Sequence, residues 1–287
     1  MRLPTSFHNM PSDKEIEKIY PLHNSNEFHR LEAQNSYPQY DINTELDDSE
    51  ILFPNGSQII DAGCGSGTVL RKLLKANKGN QIKIKAIDIN PHIMDFVDPS
   101  LSTDEKVKVE FLNDDVRYLK SIEDQSIDGY FSRFVFEYHP HDAQYMANNA
   151  FRVLKKGGRI IVIDADNVML GLKTNNKKLR NELADFRKRI TTYTDEICAH
   201  IPRFLMNAGF KLSAPKAIPV VFFSQSEKEY EYEIYKQRFM QIRPTMLTFW
   251  PEQRVKKFTE MFLAEMIKPE TLIRYEKFVF HGEKPLQ

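Results

Sequence analysis

The sequence of 287 residues has little cysteine, no net charge and no long apolar run. Its two cysteines, Cys64 and Cys198, are too few for a disulfide framework and lack the spacing of a metal site. Forty basic and forty acidic side chains cancel, which argues against a strong electrostatic grip on nucleic acid. No run approaches the roughly 18 apolar residues of a membrane helix, and the N-terminus lacks the apolar core of a signal peptide. We therefore expect a cytoplasmic protein without a membrane span and without a metal.

The most informative stretch is residues 59–70, which contains three glycines at alternate positions. An apolar pair and Asp61 precede Gly63, Gly65 and Gly67, and an amphipathic segment follows them. This pattern is typical of a buried strand that turns sharply into a helix. Because glycine has no Cβ, a ligand can lie against bare main chain and face the N–H groups at the start of the helix.

Known cofactor-binding loops of this kind, and an ordinary glycine turn, have to be compared with this sequence. The dinucleotide pattern G-x-G-x-x-G would require glycine at position 68, where the sequence has Thr68. No Gly-Lys-Ser/Thr follows, which excludes a P-loop. An ordinary glycine turn without a ligand is a third interpretation, and the strand before it, the helix after it and an acid downstream argue against it.

Acidic and polar residues follow successive predicted strands. The predicted strands are 59–62, 82–88, 107–112, 127–132 and 159–164, with helical segments between most of them. The helix predicted over 142–154 is expected to stop at Gly157-Gly158. Further on, strands are predicted over 210–223 and 272–281, and helices over 230–240 and 251–266. This alternation predicts a doubly wound, mostly parallel α/β sheet, in which ligands lie at the carboxyl ends of the strands. The residues expected at that edge are Asp61, Asp88, Asp115, Ser132 and Asp164.

Two of these acids have the positions of adenosine ligands. Asp88 comes about 20 residues after the glycine loop, the offset at which an acid can accept from both hydroxyls of a ribose. Asp115 can accept from an adenine amino group while the next main-chain N–H, that of Val116, donates to the ring. An Asx turn with solvated acids is the alternative interpretation of residues 113–116.

Together these blocks resemble the class I S-adenosylmethionine-dependent methyltransferases of the ubiquinone/menaquinone-biosynthesis type. The resemblance extends from about Tyr20 to Pro285 and also includes residues 132–138, 153–158 and 208–210. It implies S-adenosylmethionine as the cofactor. It also implies a Rossmann-like methyltransferase fold with a seven-stranded sheet, a helical N-terminal arm and a helical insertion before the last strand.

The resemblance also suggests a division of the chain. Residues 1–50 are expected to form a helical arm or lid, with predicted helices at 13–20 and 26–37. Residues 51–287 are expected to form the methyltransferase domain, in which 168–208 and 225–268 make a helical cap over the substrate side. We expect the protein to be a monomer or a homodimer.

The resemblance implies cofactor-binding residues at several strand ends. Asp61 would orient the amino group of the cofactor, Asp88 would hold the ribose and Asp115 the adenine amino group. The remaining contacts are implied for Gly63, Cys64, Gly65, Ile89, Val116, Ser132 and Arg133.

The implied chemistry is an in-line displacement at a methyl group that the sulfonium already activates. A general base is needed only if the acceptor is protonated near neutral pH. The candidates for that base are Tyr138, His139, Glu137 and Tyr20. Tyr138 occupies a position that is often histidine in the related enzymes, so the sequence departs from the family there.

We expect methyl transfer to the oxygen, nitrogen or carbon of a small molecule. An RNA or protein methyltransferase, an NAD-dependent oxidoreductase and a non-catalytic S-adenosylmethionine-binding protein are the alternatives. The Asn/Asp-Pro-Pro-Tyr/Phe motif of amino-methylating DNA enzymes is absent after the fourth predicted strand, where the sequence reads Ser132-Arg133-Phe134-Val135.

Overall fold

A computed structural model describes residues 31–90, 106–166, 168, 171–190 and 196–287. Within these ranges the helices are α1 (Thr68–Ala76), α2 (Ala143–Val153), α3 (Lys177–Arg189), α4 (Ile201–Ala208), α5 (Gln225–Leu247) and α6 (Glu252–Met266). The strands are β1 (Gln58–Ala62), β2 (Ile82–Asp88), β3 (Val107–Asn113), β4 (Ile127–Arg133), β5 (Leu154–Asp166), β6 (Leu172–Lys173), β7 (Lys211–Leu212), β8 (Lys216–Phe222) and β9 (Leu272–Glu283). No helix of the described ranges is long and apolar enough to cross a bilayer.

One sheet contains all nine of these strands, in the order β3-β2-β1-β4-β5-β9-β6, with β7 and β8 also paired to β9. The first five strands are parallel, whereas β9 is antiparallel to β5. The predicted α/β, mostly parallel, doubly wound sheet is thus confirmed. The two-residue strands β6 and β7 are short additions to the seven strands expected.

Helices cover both faces of the sheet. On one face, Leu70 and Leu73 of α1 pack in the same core as Ile59 of β1. On the other face, Met146 of α2 and Leu205 of α4 share a core with strand residues that include Ile60 and Ile160. Because β1 lies between two strands and under both layers, Asp61 at its end is almost completely buried.

Two boundaries differ from the sequence-based expectation. Gly157-Gly158 were expected to stop the helix now called α2, but this prediction is wrong, since β5 begins at Leu154 and contains both glycines. The register shifts between Ile127 and Gly129 of β4, and Gly157 has a φ of +77°, so an irregularity in the sheet uses this glycine. The strand expected over 210–223 is divided into β7 and β8.

The cap has an apolar core of its own. Phe186 of α3, Phe239 of α5 and Phe258 of α6 meet there with Trp250, which lies between α5 and α6. Residues 197–208 were also expected in the cap, but α4 packs with α2 on the sheet. Helix α5 begins earlier than the predicted Tyr230, because Ser224 and Glu227 form a capping box at its N-terminus.

A buried ion cluster joins the N-terminal arm to the sheet. Glu45 accepts hydrogen bonds from Arg133 Nε at 2.6 Å and from Lys277 Nζ at 2.5 Å. The side chains of Glu45 and Lys277 are fully buried, and Arg133 is nearly so. Burial raises the pKa of Glu45, but the charges of Arg133 and Lys277 outweigh this effect and hold the pKa below its ordinary value. This cluster therefore connects the arm to β4 and to β9.

The rest of the arm is made of short helical turns. Residues 31–35 are helical, and single 3₁₀ turns follow at Pro38–Tyr40, Ile42–Thr44 and Asp48–Glu50. The helix predicted over 13–20 and the first part of the one predicted over 26–37 lie outside the described residues.

Replacement of Glu45 by alanine should reduce the free energy of unfolding by about 3–5 kcal/mol, because two buried cations lose their anion. Urea denaturation measures the loss. Acid should remove the same stabilisation from the wild type as pH falls below about 4.3, since the pKa of Glu45 is lower in the folded state than in the unfolded chain. Glu123→Ala, at an exposed loop position, is the control and should change stability by less than about 0.5 kcal/mol. A loss no larger than the control's would contradict the role given to the cluster.

Candidate active site

The glycine loop lies between β1 and α1 and uses backbone conformations that favour glycine. Gly63, Gly65 and Gly67 have φ values of +73°, +48° and +82°. The N–H groups of Gly63 and Cys64 both donate to the main-chain oxygen of Ile87, at 2.8 and 2.9 Å, which ties the loop to β2. A Cβ on Gly63 would lie 2.6 Å from Val135 Cγ2, so a larger residue does not fit there.

The arm covers this loop directly. Leu31 Cδ1 lies 3.4 Å from the place that a Cβ on Gly65 would take. Asn35 Nδ2 donates to Ser66 Oγ at 3.0 Å, and Glu32 pairs with Arg71 of α1 at 2.8 Å. Residues 31–35 therefore contact the glycine loop and the start of α1, and their role as a lid stays a prediction.

Asp88 is held at the loop by its own carboxylate. Oδ2 accepts from the Gly65 N–H at 3.0 Å, and Oδ1 accepts from the Asn90 N–H at 2.9 Å. Asn113 Nδ2 donates to the main-chain oxygens of Asp88 and Ile89, which orders the turn after β2. Sequence reasoning missed Asn113, although its place at the end of β3 beside Asp88 follows from a parallel register.

Two buried polar atoms at this edge have no hydrogen-bond partner within the described part of the chain. They are Asp61 Oδ2 and Ser132 Oγ, from the ends of the neighbouring strands β1 and β4. Burial raises the pKa of Asp61 to about 7, and the nearby charge of Asp88 adds to this shift. Buried polar atoms in native proteins are normally paired. Together with the bare main chain of the loop, they fit a ligand that brings an amino group and hydroxyls to this edge.

Asp115 forms an Asx turn, but its carboxylate is buried rather than solvated. Oδ1 accepts from the Arg117 N–H at 2.9 Å, and Oδ2 accepts from Arg117 Nη2 at 2.6 Å. Val116 is buried beside it in the sheet core. Arg117 was not predicted from the sequence as a partner of Asp115, although the Asp-x-Arg spacing permits this local pair. The contact of Asp115 with adenine stays a prediction.

The residues proposed as bases diverge after β4. His139 lies in the field of Arg117, Asp115 and Asp142, on the predicted adenine side. Burial, reinforced by the charge of Arg117, lowers the pKa of His139 to about 4, so the imidazole is neutral at pH 7. Glu137 is buried, and its charge acts on Cys198.

Tyr138 points in another direction, packing against the apolar core of the cap. The turn that carries it, Phe136–Tyr138, is held by Asp164, whose Oδ2 accepts from the Phe136 N–H at 3.0 Å. Asp164 was expected to face the ligand edge, but it is fully buried in this structural role. Tyr20 lies outside the described residues.

The side chain of Arg133 is also committed elsewhere, to Glu45, Tyr40 and Asn35. A contact of this residue with a cofactor is therefore left to its main chain. No group of three or more His, Cys, Asp or Glu side chains that could hold a metal ion is found in the part of the chain that is described.

Comparison with known proteins agrees with this geometry. Residues 59–158 match the family model described as a methyltransferase domain. The chain is 33% identical over 150 residues to an S-adenosyl-L-methionine-dependent Diels–Alderase of Neonectria sp. (strain DH2), covering 51% of this chain and 52% of that protein. It is 34% identical over 109 residues to a tRNA N(3)-methylcytidine methyltransferase of Schizosaccharomyces pombe, covering 37% of this chain and 36% of that protein. The chain thus spans about half or less of the length of these curated relatives.

Two solved structures share the fold. The cyclopropane synthase MmaA2 from Mycobacterium tuberculosis superposes with a TM-score of 0.57 at 12% identity, over 96% of this chain and 100% of that one. The cyclase SpnF superposes with a TM-score of 0.56 at 15% identity, over 96% of this chain and 97% of that one.

Residues 59–158 are therefore a methyltransferase domain, and the sheet around them has the Rossmann-like methyltransferase fold. The matched domain and the fold are those of S-adenosylmethionine-dependent methyltransferases, and S-adenosylmethionine is the cofactor of that class. The NAD-dependent alternative is set aside by this match.

Replacement of Asp88 by alanine should weaken the binding of S-adenosylhomocysteine by about 1.5–3 kcal/mol, the range for a lost hydrogen bond to a charged group. Isothermal titration calorimetry measures the change. Asp128→Ala is a matched control, because Asp128 bonds to the Gln58 N–H and to Lys155 at the opposite edge of the same sheet. Equal affinities for the two variants would count against the ribose assignment.

The affinity for S-adenosylhomocysteine should depend on pH through Asp61. The folded-state pKa of about 7 lies above the ordinary value, so the folded protein holds this proton and loses the associated stability as pH rises towards 7. A cationic amino group prefers the ionised carboxylate, so binding should be about tenfold weaker at pH 6 than at pH 8. Calorimetry at the two pH values tests this.

Asp61→Asn should remove that pH dependence. Asp164→Asn should keep it, although burial raises the pKa of Asp164 to about 7 as well, because Asp164 serves the Phe136 turn and not the ligand edge. The assignment fails if Asp61→Asn retains the wild-type profile.

Proposed function

We propose that the chain transfers the methyl group of S-adenosylmethionine to an oxygen, nitrogen or carbon atom of a small molecule, as enzymes of the ubiquinone/menaquinone-biosynthesis type do. The observation that carries this proposal is that the arm touches both sides of the site. Asn35 bonds to Ser66 of the glycine loop, and the main-chain oxygen of Ala33 accepts from Tyr230 of the cap. An arm that joins loop and cap encloses the ligand edge, which favours a small acceptor over a polymer.

The bound cofactor supplies a methyl group that its sulfonium makes reactive. The chain then has to orient the reactants and exclude water. Asp61 and Asp88 are suited to orientation, since both lie at the glycine loop and Asp88 is fixed by hydrogen bonds. Leu31 and Val135 are suited to exclusion of water, since both are apolar and pack against glycines of the loop.

Tyr138 is the residue we propose to contact the acceptor. Tyr138 packs against the apolar core of the cap, whereas His139 lies near Arg117 and Glu137 near Cys198. A phenol at this place can exchange a proton with an acceptor hydroxyl or hold the acceptor by a hydrogen bond.

Tyr138→Phe should lower kcat by about 10²-fold if the phenol transfers a proton, since this is the lower end of the range for general acid–base catalysis. The phenyl ring preserves the packing, so folding and cofactor affinity should stay at the wild-type level. Glu137→Gln and His139→Ala serve as comparisons and should lower kcat by less than about tenfold. A larger loss in His139→Ala than in Tyr138→Phe would overturn the assignment.

The function is tested by incubating the protein with S-adenosylmethionine labelled in the methyl group, in three separate arms. One arm contains a low-mass metabolite extract, one contains total tRNA and one contains unfolded protein. We expect label in the metabolite arm together with formation of S-adenosylhomocysteine. Label confined to tRNA or protein would reject a small-molecule acceptor, and tight cofactor binding without turnover in any arm would favour the non-catalytic alternative.

RNA is the second candidate acceptor, and a specific surface favours it. Helix α3 is rich in lysine and arginine, and a cavity of about 770 Å³ beside it is lined by Lys173, Arg180, Arg187 and Lys188 together with Glu196, which pairs with Arg187. One of the curated relatives is a tRNA methyltransferase. If tRNA is the acceptor, replacement of two of these four basic side chains by glutamate should abolish labelling in the tRNA arm and leave the metabolite arm unchanged.

The cytoplasmic location and the monomer or homodimer expected from the sequence stay predictions.

A further inference from the structure

Arg238 of α5 carries a buried donor that nothing in the described chain satisfies. Its Nη1 is shielded from solvent and has no hydrogen-bond partner among the described residues. Its Nη2 reaches only Gln34 Oε1, at 3.5 Å, the outer limit of a hydrogen bond. Its guanidinium carbon lies 5.2 Å from the centre of the Tyr235 ring. Nη1, one of the two terminal nitrogens of the guanidinium, can therefore donate to a ligand.

The surroundings keep this guanidinium charged. Burial lowers the pKa of Arg238, but the charges and phenols around it outweigh this effect and hold the pKa well above its ordinary value. These neighbours are Tyr40, Glu231, Tyr235 and Tyr138. The Glu231 carboxylate that contributes to this effect accepts a hydrogen bond from Tyr40 at 3.1 Å. Glu231 thus balances the charge of Arg238, but the Nη1 donor itself has no acceptor away from water, and native proteins rarely keep such a donor without a reason.

The position of Arg238 connects it to the proposed acceptor side. Gln34, its neighbour in the arm, directly precedes Asn35, which bonds to Ser66 of the glycine loop. Tyr138, which we propose to contact the acceptor, acts on Arg238 electrostatically. Two adjacent arm residues, Gln34 and Asn35, therefore link Arg238 of the cap to the glycine loop.

We propose that Nη1 of Arg238 binds an anionic oxygen of the methyl acceptor, so that the substrate is a carboxylate or a phenolate. This inference rests on the proposed small-molecule methyl transfer and narrows its substrate class. A guanidinium is suited to this task because its planar donors match a carboxylate and stay charged at any physiological pH. The phenols of Tyr40 and Tyr235 would line the same place and exclude water around the pair.

Arg243 provides a matched control on the same helix. It pairs with the exposed Glu252, and its side chain is about half exposed. Arg238→Gln and Arg243→Gln remove the same charge from α5, but only Arg238→Gln removes the buried donor.

The first experiment uses bromide as a probe of the anion site. Crystals of the wild type and of both variants, grown with S-adenosylhomocysteine, are soaked in sodium bromide and examined by anomalous scattering. We expect a bromide ion at Nη1 of Arg238 in the wild type and in Arg243→Gln, and none in Arg238→Gln. Absence of bromide from the wild-type site overturns the proposal, as does a side chain of the protein itself bonded to Nη1.

The second experiment identifies the anion. A metabolite extract is divided by anion exchange into a pool retained at pH 7, which holds carboxylates, and a pool retained only above about pH 10, which holds phenols. Labelled methyl groups should enter one of these pools. Arg238→Gln should reduce the labelling at least about tenfold, and Arg243→Gln should leave it within about twofold. Label only in the unretained pool, or undiminished labelling by Arg238→Gln, rejects the proposal.

The two proposals fail in distinguishable ways. If S-adenosylhomocysteine does not bind, the proposed function fails and no crystal of the complex forms. If it binds and no pool is labelled, the bromide result alone decides on the anion site. Cofactor affinity should be equal in the wild type, Arg238→Gln and Arg243→Gln, because neither arginine touches the glycine loop.

Discussion

The structure depends on one buried carboxylate, that of Glu45, which holds Arg133 and Lys277 together in the interior. Its partners come from β4 and β9, which are two strands apart in the sheet, and Glu45 itself belongs to the arm. In a medium of low dielectric constant, moving Glu45 away from its two cations would be strongly unfavourable in free energy. The arm is therefore anchored to the sheet, and this anchor places residues 31–35 over the glycine loop.

The short turn after β4 divides the ligand edge into two regions. It begins with Phe134, whose φ of +57° is unusual for a residue other than glycine, and it is held by the buried Asp164. Successive residues have different neighbours there: His139 lies near Arg117 on the predicted adenine side, and Tyr138 lies against the cap. Tyr138 and His139 are adjacent in sequence, but they have different neighbours because the turn directs them to different parts of the structure.

Local patterns predicted the sheet well because they arise from local physics. The bounds of β2 follow from an apolar alternation that ends at Asp88, and β9 begins at the predicted Leu272. The same reasoning failed at Gly157-Gly158, where two glycines were interpreted as a helix stop. Pairing with Ile127 of β4 overrides that local signal, and pairing between strands distant in sequence cannot be seen in a pattern of neighbours.

The sequence by itself determined the doubly wound sheet, the glycine loop and the carboxylates Asp61 and Asp88 at its edge, since periodicity and glycine placement act over a few residues. Only the tertiary structure decided what surrounds those groups. It paired Asp115 with Arg117, it buried Asp61 so that its pKa rises to about 7, and it left Nη1 of Arg238 without an acceptor. Burial and charge neighbourhood depend on segments far apart in the chain, and these set the chemistry of a side chain whose identity the sequence already gives.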